Sequence, residues 1–292
     1  LIFFSIFNSF YALIVTSYQL EKNAIKYAIT IITFGFLNFL LSIFLVYFFE
    51  SGIARISGMT LAMLFVSIYS IYNFKKFKFT ILKNYKFINK EFYSVGKILF
   101  LGQFLSWTIE KSDRILVSSI DSFESAGIYG VGYQFGMIVL VIQSAVSRAW
   151  MPRLIENFNN KNKKKIIKDI INISCFIIMA SLLVSAFSYF FILNFIKSTY
   201  NSSALIAVLI CLAYMLDGIW KLFNGILIYF NKYNLSTIVL LLAGISNLVL
   251  NLILIPKYGY FGAAYSTIFS FTIGLVLSFY FVIFKEKFLS NE

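Results

Sequence analysis

The 292-residue sequence contains no histidine, only two cysteines and two prolines, and few charged residues, which make up 13% of the chain. The lack of histidine excludes His-ligated zinc, His-ligated haem and a Ser-His-Asp catalytic triad. Cys175 and Cys211 both lie inside apolar runs, so the sequence predicts neither a metal cluster nor a disulfide framework. The low charge content also argues against a water-soluble domain, for which about 25% charged residues is usual.

Hydrophobic residues are abundant: they make up 60% of the chain, and the mean hydropathy is +0.84. A transmembrane helix needs about 20 mostly apolar residues. The runs are long and unbroken, whereas a membrane barrel shows alternating segments of about 10 residues. The sequence therefore predicts an all-α polytopic bundle of about nine helices, at 1–18, 24–48, 53–73, 94–119, 126–149, 168–193, 203–229, 234–255 and 262–284.

The net charge of +13 follows from the placement of Lys and Arg between the spans. The two largest basic groups fall at 75–97 and 153–168, two spans apart, so the positive-inside rule places both in the cytoplasm. Alternation then brings 18 of the 25 basic residues to that side, including Lys22, Lys26, Lys232, Lys285 and Lys287. The charge therefore indicates orientation, and no nucleic-acid partner is predicted. Nine spans with a cytoplasmic C-terminus place residue 1 outside, and since no signal peptide opens the chain, we expect an odd number of helices upstream.

An internal similarity relates residues 21–62 to residues 231–271. The matched positions are Lys22 with Lys232, Asn38 with Asn247, Gly52 with Gly262, and Ala54 with Ala264. Small residues after a turn let two membrane helices approach closely, and such residues also occur in unrelated hairpins. Taken as a repeat, the two copies share one orientation, which is typical of two-lobed transporters with a substrate site between the lobes.

Three stretches together resemble a known family. They are EKSDRILVSSIDSFESAGIYGVGYQF from Glu110, AWMPRLIE with Pro152 at the predicted end of a helix, and LIPKYGYFGAA, in which Pro256 and Gly259 form a turn. In this order the chain resembles the Wzx-type polysaccharide flippases of the multidrug/oligosaccharidyl-lipid/polysaccharide exporter superfamily. The resemblance covers about residues 12–284.

The resemblance implies two six-helix lobes, of which this chain would supply helices four to twelve. Residues 1–73 would be the last three helices of the N-terminal lobe, 74–93 a basic cytoplasmic linker, 94–284 a complete C-terminal lobe and 285–292 a cytoplasmic tail. It further implies a non-enzymatic flippase in the bacterial cytoplasmic membrane that moves undecaprenyl-diphosphate-linked oligosaccharide for surface polysaccharide, such as O-antigen, by alternating access. The implied partners are that substrate, membrane lipids and the polysaccharide polymerase machinery. No cofactor is implied, and H⁺ or Na⁺ would be the coupling ion.

Ionisable side chains at membrane depth are costly and indicate function by default. The cations that we expect to bind the diphosphate are Arg114, Lys111, Lys221 and, with a snorkelling alternative, Arg148. The acids that we expect to bind a coupling ion are Glu110, Asp113 and Asp217. Because Glu110 and Arg114 lie four residues apart, as do Asp217 and Lys221, each pair can instead form an ion pair on one helix face.

Two other functions stay open from the sequence. A cation-coupled multidrug exporter of the same superfamily would favour carboxylates in its cavity, whereas basic residues outnumber acidic ones at membrane depth here. An integral-membrane glycan polymerase or ligase would need a sizeable outer loop, and every predicted outer connection has about ten residues or fewer.

Overall fold

The computed structural model describes residues 2–20, 23–73, 96–97, 100, 102, 104–105, 109, 111–285 and 288. In this part of the chain the backbone is almost entirely helical and contains no β-strand, which confirms the predicted helical bundle. The chain divides into two compact units, Leu1–Asn84 and Tyr85–Glu292. The predicted linker at 74–93 lies outside the described residues.

The first unit contains three helices: α1 (Ile2–Leu20), α2 (Ala24–Phe49) and α3 (Gly52–Asn73). The Asn23 side chain caps α2 by accepting a hydrogen bond from the Lys26 backbone N–H at 3.1 Å. Helices α2 and α3 form a hairpin, and α1 packs mainly on α3. A Cβ atom at Gly58 would lie 2.7 Å from the Ser42 backbone nitrogen, so only glycine permits this helix approach.

Gly52 and Gly262, which the internal similarity matches, do not make equivalent packing contacts, so the predicted close approach at Gly52 is wrong. Gly262 packs directly on the Leu254 backbone, whereas a Cβ atom at Gly52 would meet nothing within 4 Å. Gly52 is the first residue of α3, and the close approach in that hairpin comes nearly two turns later, at Gly58. The two hairpins therefore place their close-contact glycines at different depths.

The second unit contains the remaining helices. These are α4 (111–120), α5 (Phe123–Asn159), α6 (Lys163–Phe195), α7 (Ser203–Tyr229), α8 (Tyr233–Tyr258) and α9 (Tyr260–Tyr280). Helix α7 is central, because it packs against α5, α6 and α9 and buries most of its side chains. Helices α8 and α9 form a second hairpin, which turns at Gly259 with a φ of +57°.

Helices α5 and α6 extend beyond the spans predicted at 126–149 and 168–193, reaching 37 and 33 residues. At about 1.5 Å per residue, each is longer than the roughly 30 Å of a hydrocarbon core. Hydropathy locates only the apolar part of a helix. The true N-termini are set by Ser122 and Asn162, whose side chains accept hydrogen bonds from the backbone N–H of Ser125 and Lys165.

Pro152 does not end α5, as the sequence predicted, but lies inside it. Proline removes one backbone donor, yet the helix continues because Leu154 and Asn157 in the following turn are buried by tertiary packing. Pro256 likewise lies in the last turn of α8, and Gly259 alone breaks the helix there.

Among the described residues, seven helices are long and apolar enough to cross a membrane, and Phe4–Tyr18 is a shorter apolar helix. The predicted span at 94–119 is described mainly in its second half. Large side chains such as Phe39, Phe48, Leu183 and Phe190 are exposed on the helices, as expected for surfaces that contact lipid. The structure is that of a multi-pass membrane protein.

Candidate functional site

A polar cluster surrounds Asp113 inside the second unit. The Asp113 side chain is completely buried, and its carboxylate accepts hydrogen bonds from Tyr129 Oη at 3.0 Å, Asn251 Nδ2 at 2.7 Å and Thr267 Oγ1 at 2.6 Å. These donors come from α5, α8 and α9, so four helices meet at one carboxylate. Three hydrogen bonds offset much of the cost of placing this group away from water.

The same cluster holds two amide groups that are incompletely bonded. Asn251 Nδ2 also donates to Asn247 Oδ1 at 3.2 Å, and Ser112 Oγ lies 3.4 Å from that oxygen. Asn251 Oδ1 and Asn247 Nδ2 are buried without a hydrogen-bond partner among the described residues. Carboxylate, amide and hydroxyl oxygens therefore converge around Asp113, and such oxygens are the ligands of hard cations such as Na⁺.

Arg114 follows Asp113 on α4 but faces a different group. Its guanidinium carbon lies 4.5 Å from the centre of the Tyr133 ring, in a cation–π contact. The Tyr133 hydroxyl is hydrogen-bonded to that of Tyr214, and the Tyr129 and Tyr133 rings also touch. Arg114 Nε is buried without a hydrogen-bond partner in the described part of the chain. A half-buried cation with an unused donor is suited to an anionic group.

Asp217 and Lys221 form the ion pair that their spacing predicts, with Lys221 Nζ 2.6 Å from Asp217 Oδ2. Gln143 Nε2 of α5 donates to the same oxygen at 2.6 Å. Asp217 is buried, whereas 38% of the Lys221 side chain is exposed. Lys221 therefore neutralises Asp217 while keeping part of its surface accessible.

A pocket of about 130 Å³ adjoins this pair. Its polar lining comes from Asp217, Lys221, Asn224 and Ser236, and its apolar lining from Ile109, Trp220, Leu240 and Phe271. Trp220 is fixed by a hydrogen bond from its indole N–H to Ser278 Oγ at 2.8 Å. The pocket thus combines aromatic walls with a few convergent polar groups, but its volume is below the roughly 300 Å³ at which sites for drug-sized ligands begin.

The other predicted site residues are Lys111, Arg148 and Glu110. Lys111 is half-buried on α4, and Arg148 is exposed on α5. Glu110 lies outside the described residues, so its predicted pairing with Arg114 is not described. The structure thus brings Asp217 together with Lys221, and places Asp113 in a separate cluster beside Arg114.

Several polar residues of the two clusters were not among the predicted site residues: Gln143, Asn247, Asn251 and Thr267. One sequence pattern points to two of them, because Asn247 and Asn251 lie four apart within an otherwise apolar run and so share a helix face. Uncharged polar residues inside a membrane span commonly bond across helices. In the described part of the chain no three acidic, histidine or cysteine residues form a metal-binding group.

Comparisons with known proteins identify proteins of similar sequence or fold. No protein-family model matches the sequence. An uncharacterized membrane protein of Methanocaldococcus jannaschii is 23% identical over 301 residues, which covers 97% of this chain and 58% of that protein. The chain therefore spans somewhat more than half the length of this relative.

Solved structures of MATE proteins share the fold. A mutant MATE protein and a MATE protein in complex with MaL6 each superpose with a TM-score of 0.73 at 13% identity, covering 97% of this chain and 67% of theirs. An outward-facing multidrug resistance MATE family transporter of the MOP superfamily gives a TM-score of 0.70 at 13% identity over 91% of this chain and 63% of its own. The chain therefore has the helical fold of these transporters.

Proposed function

We propose that the chain forms part of a cation-coupled membrane transporter that carries an undecaprenyl-diphosphate-linked oligosaccharide across the cytoplasmic membrane. A transporter, rather than a glycan polymerase or ligase, is supported by the fold that it shares with MATE proteins. The proposed coupling ion, Na⁺ or H⁺, binds at Asp113, where three hydrogen-bond donors and the further amide of Asn247 surround a buried carboxylate.

The balance of charge at membrane depth supports an anionic substrate. Asp113 is bonded within its cluster, and Asp217 is neutralised by Lys221. Arg114, in contrast, rests on a tyrosine ring with a buried nitrogen that has no hydrogen bond in the described part of the chain. A diphosphate needs compensating cations to leave water, and a guanidinium supplies both charge and several donors. This position of Arg114 is the observation that carries the proposal.

A multidrug exporter is the second candidate, because a multidrug resistance transporter shares the fold. Its cationic substrates would require an accessible carboxylate. Asp217 would supply one only if Lys221 moved away, since their atoms are 2.6 Å apart in this structure.

Binding measured by native mass spectrometry on the detergent-purified protein tests the substrate class. We expect undecaprenyl-diphosphate-linked oligosaccharide to bind, and Arg114→Ala to weaken its affinity about tenfold or more, because charge-assisted hydrogen bonds to phosphate are lost. Arg153→Ala is the matched control, since Arg153 is an exposed arginine on α5 whose nearest acid is Asp169 at 3.5 Å.

Three outcomes decide between the candidates. Equal affinities of the two arginine variants would contradict the role of Arg114. Equally tight binding of undecaprenol, which lacks the diphosphate, would contradict anion recognition. Binding of ethidium that Asp217→Asn abolishes, without binding of the diphosphate lipid, would establish the multidrug candidate instead.

A further inference from the structure

A second group of incompletely bonded polar atoms lies along the contact between α5 and α7. In the described part of the chain, eight buried side-chain polar atoms have no hydrogen-bond partner, and four of them are at this contact. They are Gln143 Oε1, Ser147 Oγ and Trp150 Nε1 on α5, and Asn224 Oδ1 on α7. We call this row of residues, together with Asp217 and Lys221, the polar seam.

The spacing of these residues aligns them along both helices. On α5 they fall at positions 143, 147 and 150, and on α7 at 217, 221 and 224, so each helix presents them at intervals of four and three residues. This is the spacing of a single helix face. Two glycines confirm the register of the contact: a Cβ atom at Gly218 would lie 2.6 Å from Gln143 Oε1, and one at Gly225 would lie 3.5 Å from Trp150 Nε1.

The polar seam borders the pocket along its α7 side. Asp217, Lys221 and Asn224 all line the pocket described above, whereas Gln143, Ser147 and Trp150 lie on α5. Past Trp150 and Asn224 the contact becomes apolar, with Leu154 and Ile226 completely buried in one hydrophobic cluster. The polar seam therefore has the pocket on one side and ends at apolar side chains.

Unpaired polar groups inside a membrane protein are costly, because the bilayer supplies no hydrogen bonds. Along a helix, intervals of four and three residues correspond to rises of about 6 Å and 4.5 Å. One water molecule with two hydrogen bonds of about 2.8 Å at a near-tetrahedral angle bridges groups that are about 4.5 Å apart. Acceptors at Gln143 and Asn224, the donor at Trp150 and the hydroxyl of Ser147 thus provide partners of both kinds, at helical intervals that one or two water molecules can bridge.

We propose that bound water molecules occupy the polar seam and extend from the pocket, beside Asp217 and Lys221, to Gln143, Ser147 and Trp150 on α5. These waters complete the hydrogen bonds of the four unpaired groups. Because Asp217 lines the pocket and is hydrogen-bonded to Gln143, a proton can reach this carboxylate along the same hydrogen-bonded water. The water path does not depend on the identity of the transported substrate or on the ion at Asp113.

Hydrogen–deuterium exchange of tryptophan indoles tests the water path in the unaltered protein. Trp150 and Trp220 are both buried, with exposures of 2% and 5%, but only the Trp220 indole N–H is hydrogen-bonded to a side chain, Ser278. We expect the Trp150 indole to exchange about tenfold faster or more, measured by NMR with assignment through Trp→Phe variants, because it contacts water. If no water enters the polar seam, the Trp150 indole should exchange at the same rate as the Trp220 indole or more slowly. That result would overturn the proposal.

Thiol accessibility provides a second, independent measurement. Ser147→Cys and Val146→Cys are matched, since both residues are half-buried neighbours on α5, and only Ser147 lies in the polar seam. In a background without Cys175 and Cys211, we expect a charged methanethiosulfonate reagent to modify Ser147→Cys about tenfold faster, because the reactive thiolate forms only where water is present. Equal rates in two folded variants would contradict a hydrated polar seam.

Discussion

At the scale of single residues, Asp113 is a buried carboxylate whose hydrogen-bond partners in the described part of the chain are all uncharged. The Asp113 oxygens are bonded by a phenol, an amide and an aliphatic hydroxyl. Neutral donors stabilise a negative charge less than a salt bridge does. A bound cation or proton would therefore add stability at this position, which is the physical basis for assigning ion coupling to Asp113.

We predict that Asp113→Asn abolishes stabilisation by sodium. A ligand that binds only the folded state raises the free energy of unfolding with its concentration, by about 2.7 kcal/mol at one hundred times Kd. The measurement is the melting temperature of the purified protein in NaCl against choline chloride. The parent should show a sodium-dependent rise, and Asp113→Asn should not.

Asp169→Asn is the control for this prediction. Asp169 is also a buried carboxylate, but it accepts a hydrogen bond from Asn157 at 3.1 Å and lies 3.5 Å from Arg153. Its variant should keep the sodium-dependent rise even if its absolute melting temperature falls. A parent protein without any sodium effect would contradict a sodium site at Asp113.

At the scale of helices, the packing of the second unit depends on glycines at the α5–α7 contact. A Cβ atom at Gly136 would lie 2.8 Å from Cβ of Ile210, and one at Gly132 would lie 2.6 Å from Cβ of Ile206. A β-branched side chain on a helix has little rotamer freedom to move aside. The helices must therefore separate if either glycine is enlarged, and the polar seam further along the same contact depends on this close approach.

We predict that Gly136→Ala destabilises the protein by about 1–3 kcal/mol, the usual cost of overpacking. The control is Gly130→Ala on the same helix, where an added Cβ meets nothing within 4 Å. This second change should be neutral or stabilising, because alanine has the higher helix propensity. Thermal unfolding of the two purified variants distinguishes these effects, and similar losses in both would contradict tight packing at Gly136.

At the scale of the whole molecule, orientation follows from the positions of the basic residues. The connection between α5 and α6 carries Lys161, and the first turns of α6 add four further lysines. The connection between α6 and α7, at the other end of α6, carries only Lys197. From the positive-inside rule we predict that the α5–α6 connection lies in the cytoplasm.

We predict that Asn201→Cys is labelled from outside intact cells and that Asn160→Cys is labelled only after permeabilisation. Both asparagines are exposed, and they lie at opposite ends of α6. The measurement uses a membrane-impermeant maleimide in a background without the native cysteines. The reverse pattern would invert the proposed orientation, and labelling of both sites in intact cells would contradict a membrane-spanning α6.

The sequence by itself determined the helical bundle, the positions of most apolar spans and the Asp217–Lys221 pair. Each of these depends on nearby residues: a run of about 20 apolar side chains specifies a membrane helix, and a spacing of four places two side chains on one face. The limits of α5 and α6 were less predictable, because caps and buried contacts beyond the apolar run, including those after Pro152, determine where these helices end.

Only the tertiary structure decided which residues form the site. Asn251 and Thr267 reach Asp113 across 138 and 154 residues of sequence, and Gln143 reaches Asp217 across 74. Tertiary packing likewise decided that Gly58, rather than Gly52, makes the close contact in the first hairpin. Hydropathy reports how a segment interacts with lipid but not which neighbour each face meets, and the chemistry of this protein depends on those contacts between helices.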